Sequence, residues 1–189
     1  MKILLTSFEP FGGRTTNASF EAMSLVPDKF GDIQTDKKLL PVDYLKATSG
    51  IRSLILSGDY DYAVCLGLAA GRKTITPERV AINVMDGKTP DNSGFAPSDQ
   101  AISENGPAAY FSTLPIKAMV KAMTEAGMPA AVSDSAGTYV CNAVMYSAIE
   151  AAEKTHRTKA GFVHLPGEEV IAPDKAAGAI LACFLTFKG

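Results

Sequence analysis

The stretch that most constrains this chain is Asp61-Tyr-Ala-Val-Cys-Leu66, an apolar run with no polar alternation. A half-solvated strand alternates, so an unbroken run of this kind reads as a central strand buried in a sheet. Gly58 and Asp59 end what precedes it, and Gly67 opens a turn after it. Around this centre, apolar runs and helix-spaced stretches take turns. Lys2 to Ser7 reads as the first strand, broken by Phe8-Glu-Pro-Phe-Gly-Gly13. Asn17 caps a helix reaching Leu25, with Glu21 in its early turns. Ile33 to Val42 reads as the second strand, and Tyr44 to Leu56 as a helix with Leu45, Ile51, Leu54 and Ile55 on its buried side. Thr74 to Val84 is strand-like. Pro115 to Ala126 is helical, with Ile116, Met119, Val120 and Met123 apolar and Gly127 as terminator. A short strand, Ala130 to Val132, and a second one from Ala160 to His164 follow. Pro173 opens a last helix that buries Ala176, Ala177, Ile180, Leu181, Phe184 and Leu185. The alternation predicts an α/β protein, a three-layer α/β/α sandwich on a largely parallel, mixed and twisted sheet. A single domain over residues 1–189 fits the length, and no internal repeat or linker is visible.

With 47% hydrophobic and 20% charged residues, and a net charge of −2, the composition is that of an ordinary globular protein. No basic block recommends nucleic acid or a membrane surface as partner. The run Ile3-Leu4-Leu5 is too short for a signal segment or a spanning helix. Three cysteines without a C-x-x-C pair argue against a disulfide framework or a zinc site and fit a reducing cytoplasm. The turn Gly67-Leu-Ala-Ala-Gly71-Arg72 stands at the carboxyl end of a strand, where ligand sites gather in open α/β sheets. Its glycine spacing fits neither the dinucleotide nor the P-loop pattern, which excludes a nucleotide. Met85 to Thr113 is long, polar and aperiodic, the composition of a binding loop, a lid or an assembly surface.

The chemistry concentrates in a few residues. Ser133-Asp-Ser-Ala-Gly-Thr138 is a turn, and Tyr139 onward has helical spacing, so Cys141 falls in the first turns of a helix. Unpaired backbone N–H groups and the positive end of the dipole favour a thiolate there, although most free cysteines are simply buried hydrophobes. Cys65 and Cys183 lie inside apolar patterns and read as core. Of the two histidines, His156 sits in a charged, solvated stretch, whereas His164 ends an apolar strand before Pro166. Glu78 stands among β-formers and needs a partner if buried: Arg72 or Arg79 for a structural ion pair, an imidazole for a functional one. A thiol, an imidazole and a carboxylate on neighbouring strand ends are what nucleophilic acyl transfer requires. Phe8 and Phe11, on a loop that should be polar, either tuck into the core or line an apolar pocket. A cysteine hydrolase leads, with a small-molecule binding protein of the same fold as its competitor. A nucleoside phosphorylase of related architecture would need a phosphate site and no thiol.

Five blocks now matter together: Thr6-Ser-Phe-Glu-Pro-Phe-Gly-Gly13 with Asn17 and Ser19, Gly67 to Arg72, Pro77 to Asn83, Ser135 to Asn142, and Gly161 to Pro166. In this order over the full length, the chain resembles the pyroglutamyl peptidase I (pyrrolidone-carboxylate peptidase) family. The resemblance implies removal of an N-terminal pyroglutamyl residue from peptides, with no metal or organic cofactor. It implies Cys141 as nucleophile, His164 as general base and then acid, and Glu78 as orienting carboxylate. It also implies Phe8 and Phe11 on either side of the lactam ring, with Leu68, Tyr139 and Val140 beside them, and a cytoplasmic homo-oligomer, a dimer or tetramer. Oxyanion donors should include the Cys141 N–H, with Arg72 or Lys88 as possible support. The chain departs from the family at Leu68, where many relatives carry Gln, at Lys88, where some carry Arg, and at Gly167, which replaces a common aromatic. Those departures bear on affinity and leaving-group range, and leave the triad untouched.

Overall fold

The computed structural model describes residues 1–187; Lys188 and Gly189, the last two residues of the expected domain, lie outside the described residues. A six-stranded sheet runs in the order β2 (Lys29–Phe30), β3 (Ile33–Leu40), β1 (Lys2–Phe8), β4 (Tyr62–Leu68), β8 (Lys159–Leu165), β5 (Thr76–Pro77). Its four parallel strands are β1, β3, β4 and β8. The two-residue strands β2 and β5 pair antiparallel at the two edges. The mixed, largely parallel sheet anticipated from the alternation is therefore what forms. β4 sits between β1 and β8 and is buried along its whole length, as its uninterrupted apolar sequence demands.

Helices cover both faces. α2 (Tyr44–Ser57) and α4 (Val140–Thr155) pack together on one side, over Leu4, Ala63, Cys65 and Phe162. α1 (Ala18–Leu25), α3 (Ile116–Glu125) and α5 (Pro173–Phe184) lie on the other, over Ile3, Leu5, Val64, Leu66 and Val163. Alternate residues of one strand thus feed two separate cores, the two-residue period of a strand serving both layers. No helix among the described residues is long and apolar enough to cross a membrane.

Several expectations need correction. Thr74 to Val84 is not one strand. β5 ends at Pro77, which has no N–H for the ladder, and β6 (Val80–Ile82) then pairs with β7 (Ala109–Phe111) in a separate small sheet. Ala130 to Val132 forms no strand: only single bridges, Ile75 to Ala130 and Glu78 to Ser133, tie this segment down. Leu45 and Leu185 are exposed at 61% and 68%. The buried line of α2 runs through Tyr44, Ala47, Thr48, Ile51 and Ile55, and Leu45 lies off that stripe. Leu185 comes just after the last turn of α5.

Candidate active site

Three strand ends and one helix start meet at the carboxyl edge of the sheet. α4 begins after the turn containing Gly137, whose φ of +77° is one a side chain would resist. Cys141 is the second residue of that helix. Neither its N–H nor that of Val140 donates to a backbone carbonyl outside the helix, whereas Asn142 and Ala143 donate to the Tyr139 carbonyl. Asn142 fixes the helix start to the small sheet, accepting from Ile82 N–H and donating to the Ile82 and Val84 carbonyls.

Gly67, near the end of β4, makes room for the thiol. A Cβ there would lie 3.0 Å from Cys141 Sγ and 2.7 Å from the Phe162 ring. Its register partner on β8 is His164. The thiol therefore overhangs the strand position beside the imidazole. His164 is buried, and its Nδ1 stands 2.7 Å from Glu78 Oε1. Burial works to raise the Glu78 carboxyl, but the hydrogen bond and charge of His164, with help from Ser133 and Arg72, hold it below the usual range. An ionised Glu78 can only accept, so Nδ1 carries the proton and the neutral ring keeps Nε2 as its acceptor.

Glu78 also meets Arg72: Nη1 donates to the same Oε1 at 2.5 Å and to Thr76 Oγ1, while Nη2 reaches the Ser135 carbonyl at 3.1 Å. The structural and the functional partner that the sequence set in opposition are both present. Arg79 goes elsewhere, to Asp134.

The charge state of the thiol differs from the expectation. Burial, then the Glu78 carboxylate, pushes Cys141 up to about 12, against the lowering by Arg72 and its own N–H. Desolvation also lowers His164, against the pull of Glu78. Both shifts favour the uncharged forms, thiol and neutral imidazole. The helix start alone predicts a thiolate, and desolvation of a charge works against it.

Beside the thiol lies a narrow, tightly closed-in apolar slot lined by Phe8, Phe11, Asn17, Val42, Leu68, Tyr139, Val140 and Cys141. Every residue expected at the ring site is here. Phe8 belongs to both alternatives at once: it is buried against Phe162, with ring centroids 6.3 Å apart, and it lines the slot. The slot opens past Phe11 and Tyr139 into a wider groove formed with Asp86, Lys88, Thr89, Pro90 and Thr138. Lys88 is exposed in this groove and is not part of the slot wall.

Sequence reasoning missed Asn17 and Val42 as lining residues. Asn17 had been read as a helix cap, which it is: Oδ1 accepts from the Ser19 N–H and hydroxyl, and Nδ2 donates to the Glu9 carbonyl. A cap that also walls a cavity leaves no separate mark in the sequence. Val42 follows β3, and only the folded sheet brings it near Phe8.

A family model described as pyroglutamyl peptidase matches residues 1–183. A pyrrolidone-carboxylate peptidase of Thermococcus onnurineus is 49% identical over 93% of this chain and 88% of that protein. One from Clavibacter michiganensis is 47% identical over 92% and 83%. The crystal structure of pyroglutamyl peptidase I from Bacillus amyloliquefaciens superimposes with a TM-score of 0.92 at 37% identity, covering 98% of this chain and 93% of that one. These likenesses make the chain a cysteine-type hydrolase. It belongs to the pyroglutamyl peptidase family.

Proposed function

We propose that this protein hydrolyses the amide bond after an N-terminal L-pyroglutamyl residue of peptides, through Cys141, His164 and Glu78 and an acyl-enzyme. The observation that carries the reading is Cys141 closing an apolar slot above Gly67, beside an imidazole whose far nitrogen is held by a buried carboxylate. Pyroglutamate is a closed lactam without a terminal ammonium, so its pocket needs no anchoring carboxylate, and a slot with aromatic walls suits the ring.

In this reading His164 Nε2 takes the Cys141 thiol proton as Sγ attacks the scissile carbonyl, and Glu78 stabilises the imidazolium that forms. The imidazolium then protonates the departing amine as the C–N bond breaks. Water, deprotonated by the same ring, attacks the thioester and frees pyroglutamate and the thiol. The N–H of Cys141, at the start of its helix with no backbone carbonyl to serve, is the first oxyanion donor. Arg72 is committed to Glu78 and Ser135, and Lys88 lies in the outer groove, so neither aims at that oxygen.

Purified protein is expected to release p-nitroaniline from L-pyroglutamyl p-nitroanilide. Cys141→Ala and Cys141→Ser should each abolish release while leaving the thermal midpoint near wild type, since neither offers a thiol. Turnover by folded Cys141→Ala protein would remove Cys141 from the mechanism. A cytoplasmic homo-oligomer belongs to the same proposal, supported by three free cysteines and by the exposed Ile82 and Phe111 of the small sheet. A monomeric mass in sedimentation velocity would reject the oligomer.

A further inference from the structure

The triad leaves one charged side chain at the site without a role. Arg72 stands in the turn between β4 and β5, and its guanidinium is spent on three acceptors behind the imidazole: Glu78 Oε1, Thr76 Oγ1 and the Ser135 carbonyl. Glu78 is fully buried, its Oε1 serves both Arg72 and His164, and its Oε2 has no partner among the described residues. A buried carboxylate facing only a neutral imidazole would carry uncompensated charge, which is expensive. Arg72 supplies a permanent positive charge that does not depend on the state of the ring.

We propose that Arg72 is a positioning residue: it keeps Glu78 ionised and aimed at His164 while the imidazole cycles between neutral and protonated. Through Ser135 it also ties that carboxylate to the turn from which the Cys141 helix starts. The proposal rests on the triad reading above and assigns Arg72 a task other than oxyanion support.

The charged and titratable groups around the ring are few. Glu78 faces it directly, Arg72 comes from the turn, Cys141 from α4, and Cys65 of β4 lies behind Cys141. Without Arg72, the buried Glu78 charge is balanced most simply by a proton on His164. Nε2 is then occupied and cannot receive the proton of the thiol. The base works only at higher pH, where that extra proton is lost. Arg72 accordingly acts to lower His164, in the same direction as burial and against Glu78.

The test compares Arg72→Met and Arg72→Lys with wild type in full pH profiles of kcat and kcat/KM on L-pyroglutamyl p-nitroanilide. For Arg72→Met the acid limb should move up by about one pH unit or more, and kcat at neutral pH should fall about tenfold or further. KM should change little, because Arg72 does not line the slot. Lysine keeps the charge and loses the fork, so its acid limb should stay near wild type while kcat drops. A folded Arg72→Met protein with an unshifted limb overturns the proposal and leaves a structural ion pair. If Arg72→Met does not fold, Arg72→Lys decides: wild-type kcat in that variant overturns the tether to Ser135. Absence of turnover in wild-type protein would instead refute the proposed reaction, a separate outcome.

Discussion

Cys141 and His164 are each moved away from charge by the same cause. His164 is buried and the Cys141 thiol is partly enclosed, so desolvation pushes the thiol up to about 12 and the imidazole down. In the proposed mechanism the ring is thus a base already in its working form, and the thiol gives up its proton only as the new bond forms. Below its pKa, a thiol gains about tenfold in thiolate per pH unit. Alkylation of Cys141 by iodoacetamide in the free protein should therefore climb steadily from about pH 6 to about pH 9, read as mass-resolved labelling rates. A plateau in that window would mean that a thiolate–imidazolium pair exists at rest. Cys65 and Cys183, buried and pushed up to about 12 as well, should label far more slowly in the folded state.

Among the elements, β4 and α4 make the site between them. The strand provides the hole and the helix provides the group that fills it. Gly67 is a glycine for reasons of space, since its backbone lies in an ordinary strand but a Cβ would collide with Phe162 and crowd Sγ. Gly67→Ala should lower stability by about 1–3 kcal/mol, the usual cost of overpacking a filled core. Turnover should fall by roughly 10- to 100-fold, because a displacement of ångström scale suffices to spoil alignment. Denaturant midpoints and kcat measured on the same preparation separate the two effects. A stable variant with full activity would show that the thiol position does not depend on this gap. On α2 the helical period holds, but the expected phase runs one residue late at its start, placing Leu45 inward where Tyr44 is the residue buried.

For the whole molecule, the long polar segment between β6 and α3 proves to be organised rather than loose. Asp91 is its hub: one oxygen accepts from the Ser93 N–H and hydroxyl and the Phe95 N–H, the other from the N–H of Tyr44 at the start of α2. Glu9 joins in from the first loop, accepting from Val42 N–H and Asn92. The segment is thereby braced against β1, β3 and α2, with residues 86–90 along the groove. Burial tends to raise the Asp91 carboxyl, but its hydrogen bonds to Ser93, Tyr44 and Phe95 hold it below the ordinary value. A depressed carboxyl contributes stability above the unfolded-state pKa of about 3.9 and loses it as pH falls further. Asp91→Ala should cost about 2–4 kcal/mol at neutral pH in urea unfolding, with the deficit shrinking as the pH is taken below about 4. An unchanged midpoint would reduce the hub to a surface turn.

The sequence by itself determined the class of fold, because the apolar run ending at Leu66 can only be a covered strand and the helix-spaced stretches on either side must cover it. It also narrowed the candidates for the proposed chemistry: with two histidines and one cysteine outside the apolar patterns, few choices remained. Local signals were enough there, since period, capping and turn chemistry act over a few residues. Tertiary structure decided what depends on distance across the chain. Glu78 meets His164 from 86 residues away, and whether it served Arg72 or the ring was settled only when both reached the same oxygen. The split of Thr74 to Val84 between two sheets, and the part of Asn17 and Val42 in the slot, were set in the same way. So was the environment of Cys141: the helix start is legible in the sequence, but the desolvation that raises the thiol comes from walls supplied by four separate stretches of the chain.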